Sequence, residues 1–268
     1  MKIFGYEKDY RRQTHADEIL NFSSSVRNSK SMNKSKNSKF QILGIVPARG
    51  GSKGLLRKNV AILCGKPLIA WTIEKALKSK HLDKVIISTE SEEIIKISRK
   101  YGAEVIKRPK ELARDSTPTI DVVFHILDIM KRANYNPSII VLLQPTSPLR
   151  ATEDIDNAIE LFLNRKCKSL VSVYEIEHSP YWNFRIEKGY LKSIFGEEYL
   201  KKRRQKLPKA YVPNGSIYIS TPEILYNYKS FYSDETIPYI MPKERSIDID
   251  NEIDFILADI LIKRYKVK

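Results

Sequence analysis

The sequence predicts an α/β protein, a three-layer sandwich in which helices cover both faces of a mainly parallel β-sheet. From residue 41 onward, short β-branched runs alternate with amphipathic helical windows, as expected when crossover helices connect parallel strands. The 268 residues are 42% hydrophobic, which is enough to build a substantial core. The chain has only Cys64 and Cys167, too few for a disulfide framework, so we expect a reducing, cytoplasmic location.

The first half of the folded region alternates regularly between strands and helices. The predicted strands are 42–46, 84–88 and 138–143, and the predicted helices are 67–76, 89–101 and 119–132. Pro67 suits a first helical position, because the N–H that proline lacks has no helical partner there. Thr89 and Glu92 predict a capping box for the second helix, and Gly102 marks its end.

The second half continues this alternation with one interruption. Its regular elements are helix 153–163, strands 169–174, 215–220 and 237–241, and a final helix 252–264. Between residues 182 and 195 polar and apolar residues alternate around Lys188 and Gly189, which predicts an antiparallel hairpin closed by a tight turn. We expect this insertion, about 175–213, to protrude and to pair with a second subunit.

Residues 1–39 differ in composition from the rest of the chain. Seven serines lie between Ser23 and Ser38, mixed with lysine and asparagine. This composition predicts a basic, largely disordered arm, and the folded domain is then 40–268. The alternative is that the stretch HADEILNF (15–22) forms a short helix that docks on the domain.

The charge of the chain predicts a polyanionic partner. Forty-seven Lys and Arg against 32 Asp and Glu leave a net charge of +15, which suits either nucleotides or nucleic acid. The longest apolar run, IIVLL at 139–143, is far shorter than the roughly 18 residues a spanning helix needs, so we expect no membrane segment.

A glycine-rich basic segment, PARGGSKGLLRK at 47–58, follows the first predicted strand directly. Open α/β sheets bind ligands at the carboxyl ends of their strands, where free backbone N–H groups can face an anion. Glycines 50, 51 and 54 would let the backbone approach phosphate oxygens. The basic side chains of the segment are Arg49, Lys53, Arg57 and Lys58. The segment predicts a triphosphate-binding loop, and the alternative is a basic surface turn.

The segment SIDID, 246–250, lies just before the final helix. In an extended segment Asp248 and Asp250 point to the same side, so their carboxylates can reach one hard cation such as Mg²⁺. The alternative is a solvated helix start in which Asp250 is the N-cap.

Six ordered sequence blocks resemble those of the acylneuraminate cytidylyltransferases. The blocks are PARGGSKGLLRKN, STESEEI, RPKELARD, LLQPTSPLR, PNGSIYI and SIDIDNEIDF, and the similarity runs from about residue 41 to 263. The resemblance implies a homodimer of nucleotidyltransferase sandwiches. It also implies transfer of CMP from CTP, with Mg²⁺, to the anomeric hydroxyl of a nine-carbon keto sugar acid (a nonulosonic acid), with release of pyrophosphate.

The resemblance also implies the residues of the site. The implied nucleotide-binding residues are Arg49, Gly51, Ser52, Lys53, Asn59, Arg108, Thr117 and Thr119. The implied sugar-binding residues are Gln144, Trp182 and Asn214. The implied catalytic residues are Arg49, Lys53, Arg204 and Asp248, and the implied Mg²⁺ ligands are Asp248 and Asp250.

Two departures from the family pattern concern the sugar acceptor. Pro180-Tyr181-Trp182 and Val212 stand where sialic-acid-specific members carry a positive charge. Both resemble relatives that act on legionaminic or other bacterial nonulosonic acids, so the acceptor stays open between these sugars. Two further functions stay open: a nucleotidyltransferase for a different sugar, and a nucleic-acid-binding protein that uses the basic run KKRR at 201–204.

Overall fold

The structure is a computed structural model, and it describes residues 40–52 and 54–265. Its strands are β1 (Ile42–Pro47), β2 (Ile62–Leu63), β3 (Lys66–Pro67), β4 (Lys84–Thr89), β5 (Glu104–Lys107), β6 (Ile139–Leu143), β7 (Ser169–Glu175), β8 (Phe184–Glu187), β9 (Tyr190–Ser193), β10 (Tyr211–Ser220) and β11 (Ile237–Ile240). Its helices are α1 (Leu68–Lys78), α2 (Glu92–Lys100), α3 (Thr119–Arg132), α4 (Thr152–Arg165), α5 (Glu197–Leu200), α6 (Pro222–Tyr228) and α7 (Glu252–Tyr265). The predicted arm 1–39 and Lys53 lie outside the described residues.

The central sheet has seven strands in the order β11-β7-β10-β6-β1-β4-β5. β1 pairs in parallel with β4 and β6, β4 pairs in parallel with β5, and β7 pairs in parallel with β11. β10 runs antiparallel between β6 and β7. The predicted mainly parallel sheet is therefore confirmed, with one antiparallel strand inside it.

The hydrophobic core has one cluster on each face of the sheet. Because side chains alternate along a strand, Val46 packs on one face with α1 and α4, whereas Ile45 packs on the other face with α3. Residues that join the first cluster from the two helices are Ile69, Ile73, Ile155 and Ile159. Those that join the second cluster from α3 are Val123, Ile126 and Met130. This arrangement confirms the three-layer sandwich.

Two helix starts differ from the sequence prediction. Pro67 ends β3 and is the N-cap of α1, so it is not a helical residue. Thr89 does not cap α2, because it still pairs with β5 as the last residue of β4. Ser91 caps this helix instead, and its Oγ accepts a hydrogen bond from the Ile94 N–H at 3.4 Å. Gly102 follows α2 with a φ of +83°, which confirms the predicted end of the helix.

The start of α7 excludes Asp250 as its N-cap. The Asn251 Oδ1 accepts a hydrogen bond from the Asp254 N–H at 3.1 Å. In return, the Asp254 carboxylate accepts hydrogen bonds from the N–H groups of Asp250 and Asn251. The side chain of Asp250 is therefore free from helix capping.

The predicted hairpin is present as a separate two-stranded sheet, β8 paired with β9. Lys188 and Gly189 have φ values of +51° and +84°, as a tight hairpin turn requires. The apolar side chains of this hairpin are largely exposed: Ile186 is 76% exposed and its cross-strand partner Leu191 is 65% exposed. Within the described ranges no helix has the length and apolar character needed to cross a membrane.

Candidate active site

A pocket of about 510 Å³ lies at the carboxyl edge of the parallel strands. Four strands end there, and their next residues are the loop that follows β1, Glu90 after β4, Arg108 after β5 and Gln144 after β6. The predicted site residues that line the pocket are Arg49, Gly51, Ser52, Asn59, Arg108, Thr117, Thr119, Gln144 and Asp250. The fold therefore brings the predicted phosphate loop, base-reading residues and one carboxylate to one cavity.

The loop after β1 is held in shape by hydrogen bonds to its own backbone. The Asn59 Nδ2 donates to the Arg49 carbonyl at 2.9 Å, and the Ser52 Oγ accepts from the Lys58 N–H at 3.1 Å. Gly54 permits a close approach to the SIDID segment, since an added Cβ would lie 2.1 Å from the Asp250 carbonyl oxygen. The glycine there is required by packing, and the loop is pre-organised against that segment.

Glu90 joins the phosphate loop to the predicted base-reading arginine. Its Oε1 accepts from the Gly50 N–H at 2.6 Å, and its Oε2 accepts from the Arg108 Nε at 3.1 Å. Arg108 is only 5% exposed, and burial lowers the pKa of its guanidinium. A buried cation needs a nearby anion, so Glu90 holds Arg108 charged at the pocket wall.

The side of the pocket formed by residues 112–122 combines hydroxyl groups with charged side chains. The Thr117 Oγ1 donates to the Glu111 carbonyl at 3.0 Å, while Thr119 is the first residue of α3. Asp115 forms an ion pair with Arg49, so the loop arginine is bound within the protein itself. An anionic ligand would compete with Asp115 for this guanidinium.

The two aspartates of the SIDID segment have different environments. Asp250 is exposed, lines the pocket and accepts a hydrogen bond from the Lys58 Nζ at 3.1 Å. Asp248 is half-buried, and burial raises the pKa of its carboxyl. Asp248 is less exposed than Asp250 because β10 packs against it: a Cβ added to Gly215 would lie 2.5 Å from its Oδ2.

The two aspartates fit a divalent cation. The Asp248 Oδ1 is buried without a hydrogen-bond partner among the described residues, and the charge of Asp250 acts on the same carboxyl. An Mg²⁺ ion would satisfy this oxygen. Mg²⁺ commonly uses one or two carboxylates and completes its shell with phosphates and water. Among the described residues there is no group of three or more His, Cys, Asp or Glu side chains that could hold a metal ion.

Four predicted residues lie away from the pocket lining: Asp248, described above, and Trp182, Arg204 and Asn214. The Trp182 Nε1 donates to the Tyr199 carbonyl at 3.2 Å, and its ring packs on His178. Arg204 is exposed in a 3₁₀ turn of the same insertion. Asn214 is 2% exposed in β10. Its Oδ1 accepts hydrogen bonds from the Ser172 Oγ and the Ser216 N–H, and its Nδ2 donates to the Ser246 Oγ and the Met241 Sδ.

Most of the chain matches the sequence profile of one protein family. The sequence profile of the family described as cytidylyltransferase matches residues 43–240. The chain belongs to this family. That match covers the glycine-rich loop, Arg108 and Gln144, and it ends at the last residue of β11.

This cytidylyltransferase is similar to proteins with related sugar-acid names. It is 40% identical over 220 residues to the N-acylneuraminate cytidylyltransferase of Escherichia coli O18:K1:H7 (strain RS218 / NMEC), a match that covers 81% of the chain and 51% of that protein. It is 38% identical over 229 residues to the CMP-N,N'-diacetyllegionaminic acid synthase of Legionella pneumophila subsp. pneumophila (strain Philadelphia 1 / ATCC 33152 / DSM 7513), with coverages of 84% and 97%. The chain spans about half the length of the first curated relatives it matches.

A solved structure supports the same fold at low sequence identity. CMP:2-keto-3-deoxy-manno-octonic acid synthetase complexed with CTP superposes with a TM-score of 0.62 at 15% identity, over 84% of this chain and 99% of that chain. This similarity establishes the shared fold of the cytidylyltransferase.

Sequence reasoning missed three charged residues at the cytidylyltransferase pocket. Arg114 and Asp115 line the cavity, and Glu90 supports it from behind. Glu90 could have been found from its position, since it directly follows a strand of the parallel sheet. The ion pair between Asp115 and Arg49 joins residues 66 positions apart, and no local pattern indicates it.

Proposed function

We propose that this protein transfers CMP from CTP to the anomeric hydroxyl of a nonulosonic acid and releases pyrophosphate. The observation that carries the proposal is the single pocket that joins the glycine-rich loop, Arg108, Gln144 and Asp250 at one sheet edge. The names of the two similar proteins support the sugar class, because one is a CMP-sialic acid enzyme and the other a CMP-legionaminic acid enzyme.

The nucleotide would lie between the loop and the start of α3. The backbone of Gly51 and the side chains of Arg49 and Ser52 face the cavity, where they would bind the triphosphate. Lys53 belongs to the same loop and is proposed to act with them. Arg108, Thr117 and Thr119 line the cavity. The guanidinium of Arg108 and the Thr119 hydroxyl would donate to cytosine, and the Thr117 hydroxyl, which donates to the Glu111 carbonyl, would offer an acceptor.

The metal would be held by Asp248 and Asp250. When bound, Mg²⁺ supplies charge neutralisation at phosphate oxygens and orients the triphosphate. Lys58 contributes a fixed positive charge beside the same segment, because its Nζ bonds the Ile249 carbonyl and the Asp250 carboxylate. We propose that Lys58 holds this segment in place before the substrate arrives.

The reaction is an in-line attack by the sugar hydroxyl on the α-phosphorus. Negative charge develops on the leaving pyrophosphate, and the cationic side chains of the loop would stabilise it there. Gln144 would bind the sugar acid and orient the hydroxyl, since it lines the pocket at the end of β6. The protein thus acts mainly by positioning and charge stabilisation, with no covalent intermediate on a side chain.

The residues of the insertion fit a homodimer. Arg204 and Trp182 lie outside the lining of the pocket of their own chain, while the neighbouring hairpin exposes Ile186, Tyr190 and Leu191. Exposed apolar strands of this kind are typical of protein interfaces. We propose that a second copy covers the hairpin and that the insertion of each protomer contributes Arg204 and Trp182 to the pocket of the other.

The function is tested by measuring pyrophosphate release with each of the four nucleoside triphosphates across a panel of nonulosonic acids. We expect release only with CTP and a nine-carbon keto sugar acid, in the presence of Mg²⁺. Arg108→Ala should abolish most of it, whereas Lys100→Ala, an exposed basic residue at the end of α2, should not. Equal turnover with UTP and CTP, or turnover only with sugars that lack a carboxylate, would contradict the proposal.

A further inference from the structure

Arg150 is a charged residue buried behind the pocket. It is 1% exposed, and burial lowers the pKa of its guanidinium to about 9. Its Nη1 donates to the carbonyls of Gln144 at 3.2 Å and Ser216 at 2.6 Å, and its Nη2 donates to the Thr72 Oγ1 at 2.8 Å. These hydrogen-bond partners are neutral, and the nearby carboxylates of Asp154 and Asp248 only partly offset the cost of burying the guanidinium.

The three partners of Arg150 belong to three different elements. Gln144 is the residue after β6, Thr72 is in α1, and Ser216 is in β10. A guanidinium presents five N–H donors in a rigid plane, so it can hold three segments at fixed angles. Lysine carries a flexible point charge and cannot reproduce this arrangement.

The predicted sugar-binding residue Gln144 and the predicted metal ligand Asp248 both contact segments that Arg150 holds. Next to Ser216 is Gly215, which has a φ of +69° and leaves space for the Asp248 carboxylate. On the other side, the Thr146 carbonyl accepts a hydrogen bond at 2.9 Å from the N–H of Ile249, the neighbour of Asp248. The same Thr146 donates through Oγ1 to the Gln144 Oε1 at 3.4 Å.

We propose that Arg150 is a positioning residue that sets Gln144 and the Asp248 segment at a fixed separation. It touches neither substrate, and it acts through the carbonyls of Gln144 and Ser216. The inference rests on the proposed function for the roles of Gln144 and Asp248. Arg150 and its partner Thr72 would set the geometry in which the acceptor and the metal bind.

The test removes one hydrogen-bond partner of Arg150 and keeps the charge of the arginine. Thr72→Val deletes the acceptor of Nη2 and also the hydrogen bond that the Thr72 Oγ1 donates to the Gln144 carbonyl at 3.4 Å, whereas Thr72→Ser keeps the hydroxyl for both. The matched control is Ser79→Ala at the far end of the same helix, which deletes a buried hydrogen bond from the Ser79 Oγ to Asp156. All three variants are first compared with the wild type by thermal unfolding.

We expect Thr72→Val to lower kcat/KM for the sugar acid about tenfold while KM for CTP changes less than about twofold, because a displaced positioning group weakens one substrate geometry. Thr72→Ser should recover most of this loss. Ser79→Ala should lower the melting temperature and leave kcat/KM unchanged. A loss in Thr72→Val no larger than in Ser79→Ala would overturn the inference, since Arg150 would then be only structural.

Backbone hydrogen exchange separates this inference from the proposed function. Exchange at residues 144–147 and 214–217, measured by mass spectrometry without substrates, should become faster in Thr72→Val and not in Ser79→Ala. If the wild type fails to transfer CMP, the proposed function fails and this exchange result alone decides the positioning inference. Unchanged exchange in Thr72→Val, or equal acceleration in both variants, would overturn it.

Discussion

The nucleotide pocket and the β8–β9 insertion differ in what holds their functional side chains. In the pocket, Arg108 is 5% exposed and bonded to Glu90, and Asn59 is bonded to the backbone of the loop. In the insertion, Arg204 is exposed and Ile186 of the hairpin is 76% exposed. The pocket side chains are therefore held by contacts within one chain, whereas the insertion exposes an apolar surface.

Substitutions in the two regions should therefore have different effects. A pocket residue should affect nucleotide or metal binding in any assembly state. A residue of the insertion should affect transfer only through the proposed partner. The following experiments either separate the two regions further or show that they act as one.

The largest expected effect is in the metal pair. Asp248→Asn should lower kcat roughly 100-fold or more, because a neutral amide holds Mg²⁺ weakly. The melting temperature should be equal or higher, since the Asp248 carboxylate is buried with one oxygen unsatisfied. Asp250→Asn tests the exposed carboxylate of the same proposed metal pair. Wild-type turnover and Mg²⁺ dependence in a folded Asp248→Asn protein would exclude the metal assignment.

The next effect concerns the insertion. Replacing the cross-strand pair Ile186 and Leu191 by lysines should convert a dimer to a monomer in light scattering. CMP transfer should then fall roughly 100-fold, the loss expected when a charged group is removed from a reacting centre. CTP binding should persist. Ile62→Lys, at an exposed isoleucine of β2, is the matched control. A monomer with full activity would show that one chain carries the whole site.

The acceptor preference is the third test. Tyr181 and Trp182 offer apolar surface and Val212 removes a charge, so kcat/KM should be about ten- to a few-hundred-fold higher for legionaminic than for N-acetylneuraminic acid. The structure adds that Tyr181 packs on the rings of Phe195 and Tyr199. A value equal or higher for N-acetylneuraminic acid would show that these aromatic residues do not select the sugar.

A smaller effect is expected from Glu90, which joins the glycine-rich loop to Arg108. Glu90→Gln should raise KM for CTP about tenfold and reduce the preference for CTP over UTP, because a hydrogen bond to a charged group is lost. Glu93→Gln is the control, since Glu93 pairs with Arg57 at the surface. Unchanged base preference in Glu90→Gln would mean that Arg108 is held by other contacts.

The smallest effect is expected from the arm. Deleting residues 1–39 should change kcat/KM by less than about twofold, because their composition predicts a segment outside the folded domain. Activity, light scattering and thermal unfolding of the shortened chain test this. Loss of CMP transfer from a protein that is still folded and dimeric would place the arm at the site.

Elements whose cause is local could be predicted from the sequence. α3 covers residues 119–132 as predicted, and the turn at Lys188 and Gly189 has the expected positive φ values. Helix starts were less predictable, since Thr89 has the right residue type for a cap but is used by the sheet. The cytoplasmic location, the disordered arm and the individual site roles stay predictions.

The alternating α/β architecture, the glycine-rich loop after β1 and the Asp-x-Asp pair can be predicted from the sequence, because each depends on residues close together in the chain. The position of antiparallel β10 between β6 and β7 and the burial of Asp248 beside Gly215 could not be predicted in this way. The same holds for the amide network of Asn214 and for the guanidinium of Arg150. These features depend on contacts between distant segments, and the free energy of burying a polar group is set by the neighbours that the fold supplies.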